Sequence, residues 1–260
     1  MKAVWRYSLA LAVIALSVVL TAAVSHTSRE KRRLQTCSGI DVRIMDSVRL
    51  SFITVEDVKK CIQEGYGTWN GRRLDSLDLR RIESILKERS AILTSEAYTT
   101  RDGLLHVRVT QREPVVRFQG PDGGFYSDEK GFLFPLQKGY TSRVPIVDGN
   151  VPVRAGDGYK GPARTPQEKA WVEGIIGLVR YIDRNKTWSH AIVQITVDSR
   201  GDIVLVPRSG KERFIFGRPD DWQDKFSRME RYYTVIAPSK EEGWYSSVNV
   251  KYPGQIICRK

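Results

Sequence analysis

The run Val109-Thr-Gln-Arg-Glu-Pro-Val-Val-Arg-Phe118 decides how the chain divides. Leu105, Val107 and Val109 lead into it at a period of two, the buried face of a strand whose other face carries His106 and Arg108. Pro114 then lacks the N–H that a sheet ladder needs, so it marks a strand end or an edge.

Upstream of this run, Arg101-Asp-Gly103 reads as a hairpin turn and Ala91 to Thr99 as the partner strand. A helix is predicted over about 76–88, where Leu79, Ile82, Ile85 and Leu86 recur at helical spacing. Before it, Thr54-Val-Glu-Asp57 approximates a capping box for a helix with Val55, Val58, Cys61 and Ile62 on one face, ended by Gly65 as a left-handed cap. Ile40-Asp-Val-Arg-Ile44 alternates as a half-buried strand. The sum is a small β-α-α-β-β domain over residues 39–118.

Downstream, over residues 119–260, Gly124-Phe-Tyr-Ser127 and Phe132-Leu-Phe-Pro135 flank the turn Asp128-Glu-Lys-Gly131. Val144-Pro-Ile-Val147 supplies another strand, with Asp148-Gly149 as its turn. Thr165-Pro-Gln-Glu168 is a helix start with a Thr cap, Pro at the first position and Glu reaching back, and Trp171, Ile175, Leu178 and Ile182 form the buried stripe behind it. Ala191 to Val197, Ile203 to Val206 and Arg213 to Phe216 read as three antiparallel strands of one sheet. A helix from about Asp220 to Val235 presents Trp222, Phe226, Met229 and Tyr233, and Val248, Val250 and Tyr252 alternate in a terminal strand. The fold class expected is α+β, with the second domain an antiparallel β-sheet carrying helices on one side.

From Tyr7 to Ser28 there is no Asp, Glu, Lys or Arg. A transmembrane helix is therefore predicted over 8–28, after a short cytoplasmic tail at 1–7 and before a basic stalk at 29–38, since roughly 20 apolar residues cross a bilayer. Trp5 and Tyr7 suit the interface, and Lys2 and Arg6 suit the cytoplasmic side. Arg29, Lys31, Arg32 and Arg33 oppose that orientation, and Ala23-Val24-Ser25 also fits a signal-peptidase site, so a cleaved signal peptide is the competing reading. In both readings the remainder is exported.

The 260-residue chain carries a formal charge of +12 and a pI near 9.7. That balance suits nucleic acid, an anionic membrane surface or an acidic polymer. Its basic residues are scattered without interleaved aromatics, which argues against a nucleic-acid platform. Cys37, Cys61 and Cys258 have no metal-ligand spacing, so no structural metal is expected, although a disulfide between Cys37 and Cys61 is conceivable. His26, His106 and His190 lie in no catalytic motif and read as solvated. Gly120-Pro-Asp-Gly-Gly124 lacks the lysine and the following helix of a phosphate loop and reads as a turn. Asp220, Asp221 and Asp224 complement a helix N-terminus, and Trp171 and Trp222 read as core. Neither an enzyme nor a cofactor is expected.

The exit through Arg112-Glu-Pro-Val115 resembles the way members of the FtsQ/DivIB family leave their POTRA domain. Further fragments are similar to the β domain of that family: Gly123-Gly-Phe-Tyr-Ser-Asp-Glu-Lys-Gly-Phe-Leu-Phe-Pro135, Phe216-Gly217, Lys225-Phe226 and Val248-Asn-Val-Lys-Tyr252. The resemblance implies a non-catalytic, single-pass inner-membrane division protein. Its N-terminus would lie in the cytoplasm and its bulk in the periplasm at the septum, docking FtsB-like and FtsL-like proteins to support septal cell-wall synthesis. Tyr252 matches the tyrosine of the family's L-R/K-Y motif, which lies in the surface that binds FtsB.

A free strand edge at residues 247–252 would let an extended partner segment add a strand. The expected partner-binding residues are therefore Val248, Val250, Tyr252, Pro253, Gly254, Gln255, Ile256 and Ile257, with Pro253-Gly254 breaking the strand before an edge segment resumes. The alternative is an exported protein that binds an envelope polymer or modifies the wall.

Overall fold

A computed structural model describes residues 16–21, 35–120, 123–137, 140–156 and 158–260. Most of the predicted membrane segment and of the basic stalk lies outside them; within that segment residues 16–21 are helical and exposed, and no helix among the described residues is long and apolar enough to cross a membrane. The chain divides between Gln111 and Arg112 into two compact units.

The first unit runs β1 (Gly39–Ile44), α1 (Val55–Gly65), α2 (Leu79–Lys87), β2 (Ile92–Thr99) and β3 (Leu104–Gln111). Its three strands are ordered β1-β3-β2, with β1 parallel and β2 antiparallel to the central β3. Leu105, Val107 and Val109 of β3 are fully buried against Val58 and Ile62 of α1 and Ile82 and Leu86 of α2. Thr54 and Asp57 close the expected capping box, each side chain accepting from the other's backbone N–H. Such a box satisfies two donors that the first helical turn leaves orphaned.

Gly65 is not the left-handed cap. The chain turns at Gly67 (φ 89°), and Gly65 is required instead because a Cβ there would stand 2.7 Å from the Ile85 side chain. The end of the stalk belongs to the fold: the Cys37 N–H donates to the Arg72 carbonyl and its side chain is buried. Cys37 and Cys61 are both free thiols, and the Cys61 sulfur accepts from Arg89 Nε at 3.2 Å.

His106 is not solvated. Its side chain is 12% exposed, with Nδ1 3.0 Å from Asp41 Oδ2 and Nε2 3.2 Å from Asp102 Oδ2, and its ring stacks on Tyr98. The bond to His106, helped by Arg43, holds the Asp41 carboxyl below the usual carboxylate range.

The second unit begins ahead of the boundary at 118/119 read from sequence, because the strand after Pro114 joins the second sheet. Its elements are β4 (Pro114–Gly120), β5 (Gly123–Asp128), β6 (Phe132–Pro135), β7 (Ile146–Gly149), β8 (Gly161–Pro162), α3 (Pro166–Arg184), the short α4 (Trp188–Ala191), β9 (Ile192–Val197), β10 (Ile203–Pro207), β11 (Arg213–Gly217), α5 (Trp222–Arg231), β12 (Ser247–Asn249) and β13 (Ile257–Arg259). The strands form one ten-stranded sheet, ordered β13-β12-β11-β10-β9-β7-β4-β5-β6-β8.

The sheet is mixed, not antiparallel as expected. β9, β10 and β11 alternate in direction as predicted, but β4·β7, β7·β9 and β11·β12 are parallel. In each parallel pair a crossover, not a hairpin, separates the strands, and local turn signals do not report it. One core cluster unites the sheet residues Phe118, Val147, Ile195, Leu205 and Phe216 with Val172, Ile175, Leu178 and Ile182 of α3 and Phe226 and Met229 of α5. Both helices therefore cover the same face. Trp171 and Trp222 are partly buried beside that core, their rings tilted against Phe118 and Tyr181 respectively.

The α3 cap also makes the fold sensitive to acid. Burial alone would raise the Glu168 carboxyl, but N–H donors from Arg154 and Thr165, at 3.1 and 2.9 Å, outweigh it and hold the group below its ordinary value. A carboxyl depressed in the folded state stabilises above its unfolded pKa, and that contribution is lost as pH falls through the folded value, which lies below the ordinary glutamate range. Glu168→Gln is expected to flatten the loss of stability with acid below that point, while leaving its slope near neutrality alone. Urea titrations from pH 7 down to pH 3 would reveal this, and identical slopes in both proteins would contradict it.

Candidate functional site

The expected docking strand is shorter and better covered than its sequence pattern implies. β12 comprises only residues 247–249 and lies parallel to β11, with Phe214 opposite Val248 and Ile215 opposite Asn249. Val248 and Val250 are both fully buried beneath α5. Their side chains belong to the core, so of the expected partner-binding residues these two could offer a partner backbone only.

Two bonds decide which way the backbone of β12 faces. The Val250 N–H donates to the Ile215 carbonyl and the Arg213 N–H to the Ser246 carbonyl, at 3.0 Å each. Main-chain groups alternate in direction along a strand. The Ser246 carbonyl, Val248 and Val250 therefore face β11, while Ser247, Asn249 and the Ser246 N–H, which donates to the Arg259 carbonyl at 2.8 Å, face the opposite side.

That opposite side is not free. β13 pairs with it antiparallel, Ser247 opposite Arg259, Val248 opposite Cys258 and Asn249 opposite Ile257. The same alternation turns the Ile257 and Arg259 backbone inward to β12 and the Cys258 backbone outward. The edge of the sheet is thus β13. Its side chains divide accordingly: Cys258 is partly buried toward the core, while Ile257 is 36% exposed and Arg259 is exposed. Burial pushes the Cys258 thiol up.

Between the two strands the chain leaves the sheet at Lys251. Arg228 Nε of α5 donates to the Val250 carbonyl at 2.9 Å and fixes the end of β12. Lys251 reaches Asp202 at 2.7 Å, and that bond raises the ammonium's pKa. Its cation also sits 5.1 Å from the centre of the Tyr252 ring, which leaves Tyr252 outside the core and 44% exposed. Pro253 and Gly254 (φ 73°) make the turn, Gln255 is exposed, and Ile256 packs partly on the core.

Sequence reasoning missed several residues here. Trp244, 39% exposed, has the Lys260 ammonium 3.7 Å above its ring. Glu212 is buried beside Tyr232 and Tyr233. Burial, with Glu212 adding, pushes the Tyr232 hydroxyl up to about 12, and burial with a bond to Glu212 raises Tyr233 further, so both phenols stay protonated. Only the aromatics themselves signalled this cluster in the sequence.

The fold and this end of the sheet define a POTRA-like unit joined to a large mixed sheet with helices on one face. Comparison with family models agrees on both parts: the POTRA-like domain matches residues 35–110, and the FtsQ/DivIB, C-terminal related domain matches residues 113–259, more than half of the chain. The chain belongs to the FtsQ/DivIB family. Membership suggests a cell-division scaffold that works through protein–protein interactions in the divisome, in a family that is generally non-catalytic. No curated protein matches the chain at a significant level.

Proposed function

We propose that this chain is a non-catalytic, single-pass scaffold of the septal inner membrane. Its periplasmic part docks FtsB-like and FtsL-like division proteins by strand addition at the β12–β13 end of the large sheet. The observation that carries the reading is the build of that end: a sheet finished by a three-residue strand, with Tyr252, Ile257 and Trp244 exposed around it. An edge strand's unpaired N–H and C=O groups are where another chain's backbone can pair, and exposed aromatics supply contact area with few torsions to fix.

Tyr252→Asp in the full-length chain, co-expressed with an FtsB-like partner and purified from detergent-solubilised membranes, is expected to recover about tenfold less partner, the loss typical of a strong contact residue. Tyr252 lies outside the core, so the near-UV circular dichroism of the variant is expected to match the parent. Undiminished recovery would rule the docking end out.

A further inference from the structure

The edge that a partner strand would join is already joined by the chain itself. β13 covers the outward backbone of Ser247 and Asn249, the groups that an added strand would otherwise satisfy. Outside its ladder with β12, β13 is held by the Ser246 N–H donating to the Arg259 carbonyl at 2.8 Å and by the Lys260 ammonium 3.7 Å over the partly exposed Trp244 ring, and its hold on the core is slight. It is three residues long, Ile257 and Arg259 point away from the core, and only Ile256 and Cys258 touch it, both partly. The turn that delivers it stands in open space, with nothing within 4 Å of where a Gly254 side chain would begin. By contrast, the other side of β12 rests on Phe214 and on the fully buried Val248 and Val250.

The two available edges are unequal as docking templates. Within the strand, the outer edge of β13 offers the N–H and C=O of Cys258 alone. The edge of β12 beneath offers those of both Ser247 and Asn249, beside the apolar places now filled by Ile256 and Cys258. More hydrogen bonds and buried apolar area are available where β13 lies than outside it.

We infer that β13 is a displaceable strap: residues 255–260 close the β12 edge until an extended partner segment takes their place. This rests on the docking reading above. The segment that replaces the strap is antiparallel to β12 and carries small or medium apolar side chains at alternate positions, where Ile256 and Cys258 now sit, with polar residues between them. Until it arrives, the strap blunts an edge that would otherwise pair with other chains.

Local opening of a weakly held strand exposes one set of amides and not the other. In the full-length protein in detergent micelles, the Ser247 and Asn249 N–H groups are expected to exchange with solvent at least about tenfold faster than those of Val248 and Val250, as opening below the global unfolding cost allows. Equal rates would overturn the strap.

The second arm locks it. Val248 and Cys258 are directly opposed in a non-hydrogen-bonded pair, whose Cα atoms stand about 4.5 Å apart, inside the range a disulfide spans. Val248→Cys therefore allows one cross-link to the native thiol. The oxidised protein is expected to recover about a tenth or less of the FtsB-like partner that the same protein recovers after reduction, since the shared edge is then closed. If the oxidised and reduced forms recover it equally while Tyr252→Asp still loses it, the partner adds outside β13: the strap falls and the docking end stands. If neither the cross-link nor Tyr252→Asp alters recovery, both fall.

Discussion

Replacing Gly149 with alanine is expected to destabilise the second unit by about 3–5 kcal/mol, combining a left-handed backbone, a displaced strand and a lost hydrogen bond. Gly149 ends β7, the strand that joins the β4-β5-β6-β8 half of the sheet to the half running from β9 to β13. Its φ is 87°, and a Cβ would stand 2.4 Å from the Val197 carbonyl oxygen and 2.9 Å from Thr196 Oγ1. That carbonyl already accepts the Asn150 N–H at 2.9 Å, so it has no free direction in which to retreat. Gly201 provides the control. Its φ is 81° but nothing lies within 4 Å of the added methyl, so Gly201→Ala is expected to cost only the conformational term, about 1 kcal/mol. Urea unfolding followed by tryptophan fluorescence would separate the two, and equal costs would show that the close approach of β7 to β9 carries no energy.

That contrast shows where the sequence was legible. Asp148-Gly149 is readable as a turn, but its reading as the hinge of a parallel pair needs Val197, far along the chain. The capping residues Thr54, Asp57, Thr165 and Glu168 were readable because each finds its partner within one helical turn. The buried stripe of α3 and the faces of β3 were readable because periodicity encodes which face is covered. Strand partnership was not. Whether β4 belongs to the first or the second sheet depends on β5 and β7, and neither the parallel pairs nor the order of ten strands leaves a local trace.

His106 shows the same limit. Its carboxylate Asp41 is 65 positions away, so its exposed position in the alternating pattern of β3 pointed to solvent. The C-terminal end of the sheet shows a related limit. The alternation marks Val248 and Val250 as a covered face, but the strand ends at Asn249 with Tyr252 outside it, and the pattern is silent on whether the other edge is free. Only the fold shows that Ile257 and Cys258 return to close it.

Lys225→Met is expected to cost about 3 kcal/mol, because it withdraws a desolvated ammonium from three acceptors at once. The Lys225 side chain is 4% exposed, and its Nζ donates to the Arg218 carbonyl at 2.9 Å, the Asp220 carbonyl at 2.8 Å and the Asp220 carboxylate at 2.5 Å. These bonds gather the loop between β11 and α5 around one cation. The same loop contains Asp221 at φ 46°, the one non-glycine residue with positive φ among the described residues, and Pro219, whose carbonyl accepts from Trp222 Nε1 at 2.8 Å. Methionine fills a similar volume but donates nothing, so the two backbone carbonyls lose their donor. Asp220 itself is 56% exposed and can turn to water, and an asparagine oxygen there can still accept from Lys225, so Asp220→Asn is expected to cost only about 1 kcal/mol. The consequence extends to the docking end, because α5 also carries Arg228, whose Nε holds the Val250 carbonyl at the end of β12. A loosened α5 should therefore speed amide exchange at Val250 in Lys225→Met and leave it unchanged in Asp220→Asn. Equal unfolding midpoints for the two variants would mean that the backbone carbonyls, and not the ion pair, are the lesser part of what Lys225 does.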